Sequence, residues 1–284
     1  MKIKEAIDKG AISLKVENIE SPKLKARMLM QFILNKPRQY IIVNDMQELS
    51  KGLEQEYFEG IDKLKCNIPI EHITHQKEFM KLNFFVNENV LIPRQDTEIL
   101  VEEVIQIAKK TNGKKILDLC TGSGAIAISL AKYIEKSEIT AIDISPEAIK
   151  IARKNAIMNN VENQIKFIES NLFENVKKEK YDIIVSNPPY IKKSEIPILE
   201  KQVQKEPVIA LDGGIDGLDF YRKIVRQSYE YLKYKGYLCL EIGYDQKDDV
   251  VELLKNGEMY SNVYFKKDLY GNDRIVVGTF GDGS

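Results

Sequence analysis

Ile116-Leu-Asp-Leu-Cys-Thr-Gly-Ser-Gly-Ala125 joins a short apolar run to a pair of glycines and then to a second apolar segment ending at Tyr133. Ile116 to Leu119 is short enough and apolar enough to be a buried strand, and Gly124 to Tyr133 has the length and composition of a helix. A strand that turns through glycines into a helix is the start of a βαβ unit, and the later segments continue the pattern. Ile139-Thr-Ala-Ile142, Ile165-Lys-Phe-Ile168, Tyr181-Asp-Ile-Ile-Val185 and Tyr237-Leu-Cys-Leu-Glu-Ile242 read as further strands. Pro146 to Asn160, opened by Ser145-Pro146, Gly217 to Tyr234 and Asp248 to Leu254 read as helices. The alternation predicts a Rossmann-like, doubly wound α/β fold with a mostly parallel sheet. Two closely spaced late strands, Ser261 to Phe265 and Ile275 to Thr279, complete seven strands as an antiparallel edge hairpin.

Upstream the pattern changes. Residues 1–70 read as a small helical bundle: Ser21-Pro22 signals a helix start, followed by a face of Leu24, Met28, Leu29, Phe32 and Ile33. A second face runs through Leu49, Leu53, Phe58, Ile61 and Leu64. Residues 71–92, with Phe79-Met-Lys-Leu82, Phe84-Phe-Val86 and Val90-Leu-Ile92, read as a β-hairpin linker. Residues 93–284 form the sheet domain, whose first helix is capped by Asp96 or Thr97. His72 and His75 have no third ligand nearby in sequence and read as ordinary loop residues.

The 284 residues are 43% hydrophobic and 30% charged, as in a globular protein with a sizeable core. Acidic and basic side chains nearly cancel, 43 against 42, which argues against a protein built to grip phosphate backbones. Cys66, Cys120 and Cys239 are far apart and show no CxxC spacing, so no metal site or disulfide framework is expected. The charged amino terminus lacks a signal-peptide core and no stretch approaches the length of a membrane span. A cytoplasmic monomer without membrane or nucleic-acid contacts is expected.

The glycine loop and the strand after it suggest a cofactor. Asp143 ends that next strand, about 20 residues on, where an acid can hold both hydroxyls of an adenosine ribose. A nicotinamide dinucleotide uses the same geometry, but Ala127 replaces the third glycine of the dinucleotide fingerprint and no Walker lysine is present after the loop. A ribose-bearing cofactor without a pyrophosphate fits better, and S-adenosylmethionine is the obvious candidate. Asn171 and Leu172, after the third strand, are then placed to meet the adenine.

The fourth strand ends in Asn187-Pro-Pro-Tyr190. Proline fixes its own φ and pushes the preceding residue to extended conformations, so Asn187 and Pro188 form a rigid wall richer in acceptors than donors. With the Asn187 amide and the Tyr190 ring, the wall suits a planar group carrying an NH2, whether a carboxamide or a nucleobase amine. Arg94, beside Pro93, is a candidate substrate or cofactor contact.

With these residues placed, the chain resembles the release factor glutamine methyltransferase family among the class I S-adenosylmethionine-dependent methyltransferases. Beyond the loop and the tetrapeptide, the resemblance rests on Val90-Leu-Ile-Pro-Arg-Gln-Asp-Thr-Glu98, Glu206-Pro207, Ala210-Leu-Asp-Gly-Gly214, Glu241-Ile-Gly243 and Asp273-Arg274. It implies methylation of the glutamine side-chain amide in the Gly-Gly-Gln motif of peptide chain release factors. It also implies that the methionine part of the cofactor lies on Cys120, Thr121, Gly122, Ser123 and Gly124, the ribose on Asp143 and the adenine near Asn171 and Leu172. The target amide then lies on Asn187, Pro188, Pro189 and Tyr190, with Asn187 also facing the cofactor, and residues 1–70 dock the protein substrate. Two positions depart from the family pattern: Cys120, where most relatives have glycine, and Asn171, where many have aspartate. A nucleic-acid amino methyltransferase, acting on adenine N6 or guanine N2, shares the tetrapeptide. A non-catalytic scaffold would have no need of Gly122, Gly124, Asp143 and the tetrapeptide together.

Overall fold

Five helices open the chain: α1 Ile3–Val16, α2 Pro22–Leu34, α3 Arg38–Val43, α4 Lys51–Lys65 and α5 Ile70–Thr74. The computed structural model describes residues 1–256, 259–268 and 270–281. It divides into two units, Met1–Gln76 with Glu200–Lys205, and Lys77–Leu199 with Glu206–Ser284. The first unit has its own apolar cluster, including Leu14, Leu29, Met30, Tyr57, Ile61 and Leu64. Pro22 begins α2 as its position predicts, but the Ser21 hydroxyl caps nothing, whereas Ser50 caps α4 by accepting from the Leu53 N–H at 3.3 Å.

The buried face of α2 agrees with expectation at Leu29 and Ile33 and differs elsewhere. Leu24, Met28 and Phe32 are 54%, 37% and 37% exposed, while Ala26, Leu29 and Met30 are buried. Apolar side chains cover a wide arc of the helix, opposite Lys23, Arg27 and Gln31, so periodicity alone does not say which part of that arc is buried. Packing chooses it, with the Tyr57 hydroxyl of α4 donating to the Ala26 carbonyl at 3.2 Å. His72 is also not a loop residue but a buried member of α5.

The second unit begins with β1 Lys77–Phe79 and β2 Leu82–Phe84, paired antiparallel around Met80-Lys81, both at positive φ. This hairpin is no free connector. Phe79 and Phe84 are each 1% exposed and share an apolar cluster with Leu100, Val104 and Ile128. Val90-Leu-Ile92 comes next without forming a strand. The remaining elements are α6 Thr97–Thr111, β3 Lys115–Leu119, α7 Ala125–Tyr133, β4 Glu138–Asp143, α8 Pro146–Met158, β5 Ile165–Glu169, β6 Tyr181–Ser186, α9 Asp219–Ser228, β7 Leu232–Glu241, α10 Lys247–Asn256, β8 Tyr260–Lys267 and β9 Asp273–Phe280.

The seven strands run in the order β5-β4-β3-β6-β7-β9-β8, parallel through β7 and antiparallel beyond it. Alternate residues feed two cores: Ile116, Ile183 and Cys239 face α6, α7 and α8, whereas Leu117, Ile184 and Leu238 face α9 and α10. Helix α9 ends at Ser228, short of the expected Tyr234, because the next residues join the sheet. Leu232 stands beside Tyr181 in register, and the Tyr181 N–H donates to the Tyr231 carbonyl at 2.7 Å.

From β3 the chain steps outward to β4 and β5, then returns to the other side of β3 as β6. This reversal opens a crevice at the carboxyl ends of β3 and β6, where ligands bind in such sheets. Among the described residues, no helix is long and apolar enough to cross a membrane. No cluster of three metal-ligating side chains occurs among them, and all three cysteines are free.

Candidate active site

The loop after β3 is built from three left-handed residues, Cys120, Gly122 and Gly124, at φ of 59°, 55° and 82°. For Cys120 that conformation costs on the order of 1 kcal/mol, which glycine would avoid. The Thr121 N–H donates to the Ile142 carbonyl at 2.8 Å, and the Gly124 N–H to the Thr121 carbonyl at 2.8 Å. Asn155 of α8 donates to the Ser123 carbonyl at 2.9 Å. Asp143, at the end of β4, completes the cradle: its Oδ2 accepts the Gly122 N–H at 2.8 Å and its Oδ1 the Ser145 N–H at 2.9 Å. Burial raises its pKa, against the pull of these N–H groups.

Two glycines of this loop do different jobs. A Cβ on Gly122 would meet nothing within 4 Å, so its space belongs to whatever fills the crevice. A Cβ on Gly124 would lie 2.8 Å from Ile128 Cδ1 and 3.1 Å from Ala152 Cβ, so this glycine lets α7 pack on α8.

Beneath the loop, Asp118 is fully buried. Its Oδ2 accepts from the Thr121 hydroxyl at 2.6 Å, while Oδ1 has no partner. Burial, aided by the charge of Asp143, outweighs the Thr121 hydrogen bond and pushes the carboxyl up to about 7. A carboxyl with a raised folded-state pKa costs nothing below its unfolded value near 4 and costs progressively more as pH rises towards 7. Asp118→Asn should therefore gain stability relative to the native protein by roughly 2–4 kcal/mol between pH 5 and pH 8. Urea melts at the two pH values measure this difference, and a pH-independent difference would refute it.

The crevice holds a cavity lined by Cys120, Gly122, Asp143, Ile144, Ser145, Asn171, Leu172, Asn187 and Pro189, with Asn89 to Leu91, Pro207, Ile209, Ala210 and Phe220 also on its walls. A smaller cavity is lined by Pro93, Arg94, Thr97, Thr121, Ser123, Ala125 and Ile126 and shares Leu91, Cys120, Gly122 and Asn187 with the first. Gly124, Pro188 and Tyr190 line neither. Arg94 bonds Glu206 at 2.5 Å, and that buried carboxylate also accepts the Ile92 N–H at 2.9 Å. Asn171 donates its amide N–H to Glu174 at 2.7 Å, which leaves its carbonyl oxygen as an acceptor.

Strand register brings the loop and the tetrapeptide together. Leu119 pairs with Ser186, whose hydroxyl donates to the Leu119 carbonyl at 2.8 Å, so Cys120 and Asn187 emerge side by side. Asn187 Nδ2 donates to Thr97 Oγ1 at 3.2 Å. Thr97 thus starts α6 without capping it, and Asp96 instead pairs with Arg274 at 3.1 Å. Tyr190 packs its ring in the α9–α10 core and directs its hydroxyl at Glu241 Oε1, 3.5 Å away. Its carbonyl accepts from Gln246 at 2.9 Å, and Ile191 exchanges backbone bonds with Leu211 and Gly213. Sequence reasoning assigns no functional role to Thr97, Glu241, Ile144 or Phe220, although Thr97 and Glu241 stand within stretches carrying the family resemblance.

Fold and crevice define a class I methyltransferase architecture. Residues 94–209 match the methyltransferase small domain model and residues 5–74 the PrmC N-terminal domain model. The release factor glutamine methyltransferase of Clostridium acetobutylicum is 43% identical over 99% of both chains. That of Clostridium botulinum is 40% identical over 97% of this chain and 98% of its own. The chain belongs to the release factor glutamine methyltransferase family. Among solved structures, a ribosomal protein L11 methylase from Lactobacillus delbrueckii subsp. bulgaricus shares the fold, with a TM-score of 0.52 and 19% identity over 68% of this chain and 82% of its own.

Proposed function

We propose that this protein transfers a methyl group from S-adenosylmethionine to the side-chain amide nitrogen of the glutamine in the Gly-Gly-Gln motif of release factors, giving N5-methylglutamine and S-adenosylhomocysteine. The observation that carries the reading is that one cavity is lined by both the Gly122–Asp143 cradle and the Asn187 wall. The residues fit the cofactor. Gly122 leaves open space where any side chain would intrude, Asp143 is fixed by backbone N–H groups to receive a ribose, and Asn171 offers a carbonyl oxygen to an adenine amine beside Leu172. When bound, S-adenosylmethionine supplies an electrophilic methyl on sulfur.

The protein's part is to present the amide. A carboxamide nitrogen is a poor nucleophile because its lone pair is delocalised into the carbonyl. Asn187 Oδ1 and the Pro188 carbonyl accept its two hydrogens, aiming the nitrogen and favouring a pyramidal geometry. Pro189 and Tyr190 hold the wall rigid around them. No base is required before attack, since the methylated amide is strongly acidic and sheds its proton afterwards. Residues 1–70 serve as the docking domain for the protein substrate, and the enzyme acts as a monomer in the cytoplasm, without nucleic acid.

Transfer of labelled methyl to an intact release factor, to one with the Gly-Gly-Gln glutamine replaced, and to a free Gly-Gly-Gln peptide tests the proposal. Label should appear on the intact factor, vanish with the replacement and be much slower on the peptide. Label that survives the replacement, or that goes to RNA or DNA, would redirect the assignment.

A further inference from the structure

The sheet holds the wall Asn187-Pro-Pro-Tyr190 at its upstream end, where Ser186 pairs with Leu119 of β3 and Leu240 of β7. Beyond Ser186 that support stops. Pro188 and Pro189 carry no N–H to give a neighbouring strand, so the chain has to be secured again on their far side. Two contacts do this. The Ile191 N–H donates to the Leu211 carbonyl at 2.9 Å and the Ile191 carbonyl accepts the Gly213 N–H at 2.8 Å, forming a short parallel bridge. Gln246, 3% exposed just before α10, donates from Nε2 to the Tyr190 carbonyl at 2.9 Å.

The other partners of Gln246 leave it one orientation and one chemistry. Its Nε2 also donates to the Gly217 carbonyl at 3.3 Å, and its Oε1 accepts the Gly243 N–H at 3.0 Å. Two carbonyls can only accept and a backbone N–H can only donate, so the amide cannot be reversed. A glutamate of the same shape would keep the Gly243 bond but set an acceptor against two acceptors. The backbones it joins are packed to contact. A Cβ on Gly213 would lie 2.7 Å from Tyr190 Cα, and one on Gly217 would lie 2.5 Å from Gln246 Nε2 and overlap the Tyr190 carbonyl oxygen.

We propose that Gln246 is a positioning residue for methyl transfer: by fixing the Tyr190 carbonyl it sets the path of the wall beyond β6, and so the aim of the Pro188 carbonyl and of Asn187 at the substrate amide. The inference rests on the reading of the tetrapeptide as the holder of that amide. Gln246 lines neither cavity, so its route to the reacting atoms runs through the tetrapeptide. With φ fixed at both prolines, a shift at Tyr190 is passed back along the wall more than it is absorbed.

The test measures kcat and KM on a release factor, with S-adenosylmethionine affinity and stoichiometry by calorimetry. The variants are Gln246→Glu, Gln246→Met, Asn187→Ala and the double variant Asn187→Ala with Gln246→Met. Gln246→Glu removes the donor alone, whereas Gln246→Met keeps an unbranched side chain of similar length and removes every hydrogen bond. Each should lower kcat about tenfold or more, since small misplacements of a reacting group are costly. KM for the release factor and the cofactor Kd should stay within about threefold of native, with one cofactor bound per chain. In the Asn187→Ala background the further loss from Gln246→Met should shrink to about threefold, because one of the two acceptors it aims is already gone. Native kcat in Gln246→Met, a loss matched by weakened cofactor binding, reduced stoichiometry in both Gln246 variants, or a full loss in the Asn187→Ala background would each overturn the inference. Normal turnover in Asn187→Ala would instead show that the reading of the tetrapeptide is wrong. Loss there with fully active Gln246 variants would remove the positioning role alone.

Discussion

Asn187→Ala is expected to lower methyl transfer at least about a hundredfold while S-adenosylmethionine still binds within a few-fold of its native affinity. The asymmetry comes from where Asn187 stands. It borders both cavities, but the groups assigned to the ribose and adenine, Asp143, Asn171 and Leu172, lie at the ends of β4 and β5, away from its side chain. Alanine leaves the prolines and hence the wall intact. What disappears is one of the two acceptors that orient the target nitrogen, and with it the geometry that makes an amide lone pair available. Single-turnover transfer with enzyme in excess, alongside calorimetric titration of the cofactor, separates the two effects. Normal turnover in the variant would remove Asn187 from the mechanism, and equal loss of both quantities would make it a cofactor residue only.

Gly124→Ala is expected to destabilise the sheet domain by roughly 2–5 kcal/mol, the largest effect on folding that a single methyl group should have in the loop. Two costs add. The backbone sits at φ 82°, which an L side chain disfavours, and the new Cβ meets Ile128 Cδ1 at 2.8 Å and the Ala152 backbone Cα at 3.3 Å. Ala152 cannot swing aside, because the atoms in the way belong to α8 itself. Gly122→Ala is the control: it carries only the backbone cost, about 1 kcal/mol, and meets no neighbour within 4 Å. Its methyl group enters the crevice, so cofactor affinity should suffer more than stability. Thermal melts and calorimetry on the pair give opposite rankings if this division of labour holds, and the same ranking if it does not.

Much of this molecule is legible in residue order. Apolar runs alternating with helical segments are enough to locate seven strands and the edge hairpin. Local chemistry also places the strand-end features: glycines before α7, an acid after β4, two prolines after β6. Boundaries are harder to read where local preference is divided. Tyr229 to Tyr234 suits either a helix end or a strand, and only pairing beside Tyr181 resolves it. The buried stripe of α2 misleads for a similar reason, since its apolar arc, opposite Lys23, Arg27 and Gln31, is wider than the part that the packing buries.

The sequence by itself determined the fold class, the cradle loop and the identity of the tetrapeptide, because each depends on a few neighbouring residues and their backbone preferences. The tertiary structure alone decided which of these meet. Strand order puts β6 beside β3, although α7, β4, α8 and β5 all lie between them in the chain. It also brings the Thr97 hydroxyl, at the start of α6, within 3.2 Å of the Asn187 amide at the end of β6. Such a contact depends on groups from distant segments meeting across space, which no local pattern encodes.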